Sequence, residues 1–451
     1  MIFASGGASH IHSSLLAILM DKHFSTCRSF LSGRCHGRRR FAVPVLLTAC
    51  VLAVAHARAG AEQHKDTADA VARIRATVEL LADDDMQGRG LGTNGLNRAA
   101  GYIGQQFMRM KLKTNLCDGR PYQTFTVRTT SKNQRPQLDW LSALRQAGIL
   151  DDNDKKTDDK AAEDKTQKKS NPADKKPVDK KPKTKTAKIK NVIASLEGRG
   201  PRAEETIVIG AHYDHLGQRR GADGEWIVFN GANDNASGTA ALLEVARTLS
   251  QRKDKLPRRI VFIAFSGEEL GLLGSLHYVD HPVIPLDKTI AMINLDMVGC
   301  LQDDSIIAMG TGSSPSLAAL ADKKAERHGI SLLPVPFSLP CSDHAPFHAH
   351  GVPVIFFATT GGMRDYHRPS DTAEKVNYEG IQRIAQVTSD LAVALAETEE
   401  RPKFVNEGLP AMLLRGAVRV FGRSAKAVVT EPEKPEKAPP ANHKNHAPMA
   451  R

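Results

Sequence analysis

Histidines and acidic residues follow three apolar runs in the middle of this 451-residue chain. They are His212 with Asp214, Glu268 with Glu269, and Asp296. Imidazole nitrogens and carboxylate oxygens bind divalent metal ions, and a carboxylate that binds no ion can take a proton from water. This pattern of residue types predicts a metal-dependent hydrolytic site.

Two further groups extend the pattern. Asp234 lies in the stretch Gly-Ala-Asn-Asp-Asn-Ala-Ser-Gly, and His367 precedes Asp371 by four residues. Alone, Asp234 is more typical of a helix cap or an Asx turn, because a helix is predicted to begin at Ser237. Taken with the other groups, it completes a set of ligands for metal ions.

Less specific signals surround this set. Asp343 and His344 either help to shape a substrate pocket or belong to a loop bonded to its own backbone. Asp371 is expected to orient His367, as Asp214 is expected to orient His212 through its second ring nitrogen. His215 is assigned no role.

Two histidines and three carboxylates, with one more carboxylate for proton transfer, suit a pair of divalent ions that share one ligand. Nitrogen and oxygen ligands without a thiolate favour two Zn²⁺ ions, for which Mn²⁺ or Co²⁺ can substitute. The sequence thus predicts a two-metal centre.

These side chains must be positioned by the apolar runs that precede them. Runs at 206–211, 259–265 and 290–295 have the composition of buried strands, and helical spacing recurs at 237–249 and 379–397. The alternation predicts an α/β fold, a three-layer sandwich with a mixed, largely parallel central sheet. Carboxyl ends of parallel strands meet at one edge of such a sheet, where ligands bind.

The first segment, residues 1–61, is expected to be a leader with a signal peptide. A basic run precedes about fifteen apolar residues and then small residues, and that apolar stretch is shorter than the roughly 20 residues that span a bilayer. The mature chain is therefore predicted to lack a transmembrane span and to be exported, to the periplasm or the cell exterior. Lipoprotein anchoring at Cys50 is a lesser alternative.

Two other segments are too polar to form a core. Residues 151–190 are a Lys-rich insertion that is expected to be disordered, and 401–451 are a basic Pro/Lys-rich tail. The catalytic domain is then predicted in two pieces, an N-terminal part at 62–150 and a core at 191–400 that carries the metal-dependent hydrolytic site.

The net charge of +12 belongs to these flanking segments. The leader, the Lys-rich insertion and the tail hold all of the excess, and the remaining residues are net negative. A nucleic-acid groove needs its positive charge on the folded part, so no nucleic-acid partner is expected.

The ordered set of motifs resembles one family. The motifs are His-Tyr-Asp at 212–214, the Gly-Ala-Asn-Asp stretch at 231–238, Glu-Glu-Leu-Gly at 268–271, Asn-Leu-Asp-Met at 294–297 and Tyr-His at 366–367. They resemble the signature of the two-zinc aminopeptidases, zinc exopeptidases that also include glutamate carboxypeptidase, glutaminyl cyclase and the noncatalytic transferrin receptor. The resemblance is strong over 191–397 and weak before residue 150.

The resemblance implies a role for each residue. Asp234 would bridge the two ions, His212 and Asp296 would complete one, and Glu269 and His367 the other. Glu268 would be the general base toward a water that bridges the metals, and Asp214 would orient His212. It implies a peptide substrate and an exported aminopeptidase; a glutaminyl cyclase, a carboxypeptidase or a noncatalytic binding protein remain alternatives.

Overall fold

A mixed sheet organises the described part of the chain, residues 66–130, 184–405 and 429–430 of this computed structural model. The strands are β1 (Tyr122–Thr130), β2 (Thr184–Leu196), β3 (Thr206–His212), β4 (Gln218–Arg220), β5 (Trp226–Val228), β6 (Arg259–Phe265), β7 (Thr289–Leu295), β8 (Ser305–Met309), β9 (Ser331–Val335), β10 (Val354–Thr359) and β11 (Val429–Thr430). β4 and β5 form a separate hairpin. The others pair in the order β11-β1-β2-β6-β3-β7-β10-β8-β9.

Seven helices cover this sheet in the described residues. They are α1 (66–81), α2 (Asn94–Arg109), α3 (Gly238–Ser250), α4 (Leu273–Asp280), α5 (Pro315–Arg327), α6 (His344–Ala349) and α7 (Tyr378–Glu397). Side-chain caps mark two of the starts, because Thr93 accepts a hydrogen bond from the amide of Leu96 and Asn377 from that of Gly380.

The four central strands, β6, β3, β7 and β10, run parallel to one another. Antiparallel pairs, β2 with β6 and β8 with β10, flank them on either side. This arrangement confirms the expected mixed, largely parallel sheet. β3 lies between β6 and β7, so the connection from β3 to β6 and the connection from β6 to β7 cross the sheet in opposite directions. Ligand crevices in α/β folds form at such a switch point.

Alternate residues of the central strands face opposite layers of helices. In β6, Ile260 and Phe262 pack into the core beneath α2, α3 and α7, and Val261 and Ile263 pack into the core beneath α4 and α6. Both faces of the sheet are therefore covered. The near-continuous apolar composition of β6 follows from this burial on both sides, and the fold has the three layers that were expected.

The Lys-rich insertion ends earlier than expected. β2 begins at Thr184, so residues 184–190, predicted to be disordered, pair with β1 in an antiparallel ladder. Ile189 is 1% exposed in the main core, and the carbonyl of Lys190 accepts a hydrogen bond from the hydroxyl of Tyr213. The first residues of β2 alternate between lysine and smaller or apolar side chains, so their composition resembles that of the Lys-rich insertion.

The tail also contributes to the folded part. The Arg401 guanidinium donates to Glu205, and the amide of Val405 donates to the carbonyl of Ser313. Further along, β11 pairs with β1 at the edge of the sheet. Residues 401–405 and 429–430 are thus not a separate tail.

Several expectations lie outside the described residues. They concern the leader at 1–61 with Cys50, the insertion at 151–183, and the tail at 406–428 and 431–451. Within the described ranges, none of the helices combines the length and the apolar character needed to cross a bilayer.

Two nested deletions test the boundary at Thr184. Deleting 151–183 should leave the urea midpoint of unfolding unchanged, because the whole of β2 is retained. Deleting 151–190 removes the β2 residues that pair with β1 and the buried Ile189, and losing one such side chain costs about 2–5 kcal/mol. Equal midpoints for the two deletions would show that residues 184–190 do not belong to the core.

Candidate metal centre

The expected ligands come together at the carboxyl edge of the central strands. His212 is the last residue of β3, and Asp296 directly follows β7. Glu269 lies four residues after β6, and His367 follows β10 through a short loop. Asp234 arrives from the turn that leads into α3. Because the four strands are parallel, their ends meet although they are far apart in the chain.

The first set of ligand atoms surrounds Nε2 of His212. This nitrogen is 3.2 Å from Oδ1 of Asp296 and 3.4 Å from Oδ1 of Asp234. All three residues are buried. The hydroxyl of Ser342 donates to the other oxygen of Asp296 at 2.7 Å, which leaves Oδ1 to face the imidazole.

The second set surrounds Nε2 of His367. This nitrogen is 3.2 Å from Oδ2 of Asp234 and 3.1 Å from Oε2 of Glu269. Asp234 therefore places one oxygen in each set, as a bridging ligand must. His367 has φ 58°, a left-handed backbone conformation that costs a non-glycine residue on the order of 1–2 kcal/mol.

The spacing of these atoms fits metal ions. Zinc binds nitrogen and oxygen at about 2.0–2.2 Å, so two ligands of a tetrahedral ion lie about 3.3–3.5 Å apart. The four separations around His212 and His367 are close to that value. The donor set contains nitrogen and carboxylate oxygen, which suits zinc. These residues can thus hold divalent ions, and Glu268 remains beside them with no place in either set.

Two further carboxylates hold the loops that present the ligands. Asp214 accepts the amides of Glu268 and Glu269, at 3.1 Å and 3.3 Å. The ring Nδ1 of His212 meets the backbone carbonyl of Asp214 at 3.2 Å, while the Asp214 carboxylate is 3.8 Å away. Asp214 therefore contacts His212 mainly through its backbone, and its carboxylate positions the Glu268–Glu269 turn.

Asp371 does the same for the bridging residue. Its two oxygens accept the amides of Asn233 and Asp234 at 2.8 Å and 3.0 Å. The expected contact with His367 is replaced by this clamp on the loop that carries Asp234. In both cases a carboxylate that follows a histidine ligand in the sequence binds the backbone of another loop, and that loop carries a different ligand.

Asp343 and His344 lie at the start of α6, and both are buried. Burial raises the pKa of Asp343 to about 7. Among the charges that act on the pKa of Glu268 is that of Asp343, so the two carboxyls face the same region. His344 stacks on Phe356 with ring centroids 4.8 Å apart, and burial lowers its pKa to about 3.

The carboxyl groups of the site differ in the direction in which their pKa is shifted. Burial raises the pKa of Glu268 well above its usual range, and the charges of Glu269 and Asp296 add to that rise. Burial also opposes the ionisation of Asp234, yet neighbouring imidazoles hold its pKa well below the usual range. Glu269 behaves like Asp234, with its pKa lowered to about 2 in spite of burial.

The imidazoles respond in the opposite sense. Burial alone would lower the pKa of both histidines, but the carboxylates beside them outweigh it. The pKa of His212 is well above its usual range, and that of His367 rises to about 10. In the metal-free chain the neighbouring carboxylates therefore favour the positively charged form of both rings.

Sequence reasoning missed two residues of this site. His215 is buried, with Nδ1 at 2.7 Å from Oε1 of Glu269. Arg89 is a fully buried guanidinium whose nitrogens donate to carbonyls that include those of Tyr213 and Gly231. Burial lowers the pKa of Arg89 to about 10, against the charges of the site carboxylates. The stretch Gln-Gly-Arg-Gly at 87–90 also resembles the two-zinc aminopeptidases, but it gives no sign that the arginine is buried.

The fold and the paired ligand sets define an α/β protein with a candidate metal centre at the carboxyl edge of a parallel sheet. Residues 191–392 match the model for Peptidase family M28. This region of the chain is therefore similar to the members of that family.

Comparison with curated proteins finds relatives that are named as aminopeptidases. The chain is similar to the protein named Aminopeptidase YwaD of Bacillus subtilis strain 168, with 32% identity over 233 residues, which are 49% of this chain and 48% of that protein. The matched part thus spans about half the length of this relative.

Two solved structures share the fold. One is an aminopeptidase from Aneurinibacillus sp. strain AM-1, with TM-score 0.51, 20% identity and coverage of 75% of this chain and 96% of that one. The other is BSAP, a zinc aminopeptidase from Bacillus subtilis, with TM-score 0.50, 20% identity and coverage of 74% and 98%. Both align over nearly their whole length with this chain.

Proton release should accompany metal binding. His212 and His367 must lose their protons to bind an ion, and the pKa of His367 near 10 places that loss above neutral pH. Zinc affinity should therefore rise with pH from 6 to 9. Calorimetric titration of metal-free protein in buffers of different ionisation enthalpy measures the protons released. A binding enthalpy that is the same in every buffer would contradict the protonation of these rings.

Proposed function

We propose that this chain is an exported, zinc-dependent aminopeptidase that removes N-terminal residues from peptides. The observation that carries the proposal is the division of Asp234 between two sets of ligand atoms, with Glu268 beside them and outside both. This arrangement supplies a place for two ions and a separate group for proton transfer. The kinship with Peptidase family M28 and the name of the relative from Bacillus subtilis support the same activity.

The reaction needs an activated water, a polarised carbonyl and a proton carrier. Two bound divalent ions would polarise the scissile carbonyl and lower the pKa of a water at the site. Asp234, with His212 and Asp296, would hold one ion. Glu269 and His367, also with Asp234, would hold the other.

Glu268 would move the proton. Its amide is held by Asp214, so the side chain starts from a fixed backbone. Burial raises its pKa, and positive charge nearby would lower it again toward the range of a general base. Glu268 would take a proton from the attacking water and give it to the amine that leaves.

The charge of the site favours a substrate with a free amino terminus. Glu268, Asp296 and Asp343 are buried carboxyls whose charges act on the pKa of Glu268, and divalent ions bound beside them would favour their ionised forms. An α-ammonium group carries the complementary charge, and its attraction to carboxylates is strongest away from bulk water. A peptide whose amine is blocked by an acetyl group would lose this interaction.

An apolar surface beside the ligands supports a preference for apolar first residues. Met297 follows the ligand Asp296 directly, and Tyr366 precedes the ligand His367 and stacks on its ring with centroids 3.8 Å apart. Both belong to a cluster with Phe337. Partly buried rings can cover the side chain of a leucine or phenylalanine, whereas a charged first residue would lose its hydration there.

Replacing Glu268 separates proton transfer from metal binding. The variants Glu268→Ala and Glu268→Gln should bind zinc like the unchanged chain but lose turnover by about 10²–10⁴-fold, because the general base is removed. Steady-state kinetics and bound-zinc content measure the two effects. Glu326→Ala, a substitution at an exposed residue of α5, is the matched control. Substantial turnover by both Glu268 variants would refute its role as the base.

A substrate panel tests the proposed activity itself. Aminoacyl anilides of Leu, Phe, Lys and Asp, each free or N-acetylated, should be cleaved only with a free amine and fastest for Leu and Phe. Chelation should abolish cleavage and zinc should restore it. Cleavage of acetylated substrates would contradict the aminopeptidase, and cyclisation of N-terminal glutamine instead of anilide release would indicate a glutaminyl cyclase.

A further inference from the structure

His215 lies directly beside the second ligand set. It follows β3 by three residues, and its side chain is completely buried. Its backbone amide donates to the carbonyl of Arg89. The ring lies against Gly231, where a Cβ atom would come within 2.5 Å of Cδ2 of the ring. The surrounding backbone therefore leaves a space that this imidazole occupies and that a larger residue at Gly231 would close.

The ring contacts one ligand directly. Nδ1 of His215 is 2.7 Å from Oε1 of Glu269 and 3.8 Å from Oδ2 of Asp234. The other oxygen of Glu269, Oε2, faces His367 at 3.1 Å. The two carboxylate oxygens of Glu269 are thus divided between two histidines.

His215, Asp234 and Glu269 lie close enough together to hold an ion, but their individual distances favour a hydrogen-bond donor over a ligand at His215. Ligands of one tetrahedral zinc ion lie about 3.3–3.5 Å apart, as the atoms around His367 nearly do. His215 departs from that value in both directions. A separation of 2.7 Å is that of a charge-assisted hydrogen bond, and 3.8 Å to Asp234 is too long for a ligand edge.

The second nitrogen of the ring supports this assignment. Within the described residues, no hydrogen-bond partner meets the buried Nε2 of His215. The polar contact of the ring with the site therefore passes through Nδ1, which carries the hydrogen that Glu269 accepts. A side chain with a donor at the position of Nδ1 should replace it, and one with a donor at the position of Nε2 should not.

We propose that His215 is a positioning residue that holds Glu269 through Oε1, so that Oε2 points toward His367 and Asp234 as a metal ligand. The inference rests on the proposed two-metal centre and deepens it. Outer hydrogen bonds of this kind orient ligands, and their removal weakens metal binding by about 10–100-fold. Loss of the hydrogen bond lets the Glu269 side chain rotate. The binding of one ion then becomes weaker, although none of its ligands is removed.

The test compares three variants of the full chain. Metal-free protein is titrated with zinc in competition with a chromophoric chelator, which gives two dissociation constants. His215→Leu should weaken one of them about 10–100-fold and leave the other unchanged. His215→Asn, whose amide nitrogen mimics Nδ1, should restore most of the lost affinity, and His215→Gln, which mimics Nε2, should not.

A control variant separates this effect from the loss of a histidine–carboxylate pair far from the site. His328 also pairs with a carboxylate, Asp390 at 3.1 Å, and it lies at the end of α5. His328→Leu should leave both constants unchanged. Thermal unfolding of the metal-free proteins checks that each variant is folded, and the Asn and Gln variants retain a polar side chain if the Leu variant does not fold.

Three outcomes would overturn the inference. Unchanged constants in His215→Leu would show that the hydrogen bond does not position Glu269. Equal affinities for the Asn and Gln variants would remove the role of Nδ1. Complete loss of one ion in every variant would make His215 a ligand. Failure of the unchanged chain to cleave free-amine substrates while it binds two ions would refute the proposed function alone, because the affinities are measured without substrate.

Discussion

The mutual repulsion of buried carboxylates is the constraint on which this structure depends. Asp234, Glu268, Glu269 and Asp296 meet at one edge of the sheet, and all are shielded from water. Such a group is stable only if positive charge and hydrogen-bond donors are brought to it. The chain supplies three imidazoles, the buried guanidinium of Arg89 and four backbone amides. Divalent ions between the ligand sets would complete this neutralisation, which is why the site is suited to metal chemistry.

The supporting residues share one physical logic. Asp214 and Asp371 each accept two successive amides, and each thereby fixes a loop that presents a ligand. Arg89 binds backbone carbonyls where Asp214 and Asp371 bind backbone amides. Its nitrogens donate to carbonyls of the loops that carry His212 and Asp234. His215 adds a hydrogen bond to Glu269. The ligands are therefore oriented by contacts between loops from different strands, and the rigid parallel strands beneath them keep those loops in register.

The architecture follows from local patterns to a large extent. Continuous apolar strands alternate with helices, so the layered sheet, its parallel centre and the location of the site at the carboxyl edge were predictable. β2 was only partly predictable, because its first residues alternate between lysine and smaller side chains, and the burial of Ile189 depends on pairing with β1. The short helix α4 and the strand β9 lack a periodic apolar face long enough to indicate them.

The sequence by itself determined which residue types stand at the strand ends, and thus the two histidines, three carboxylates and one spare glutamate of the proposed two-metal centre. Tertiary structure decided what each neighbour does. His212 and His215 are three residues apart and chemically identical, yet one faces Asp296 and the other Glu269. Asp371 clamps the loop of Asp234 instead of its neighbour His367. These assignments depend on distances between side chains that are 50 to 140 residues apart, and no local pattern of residues records such distances.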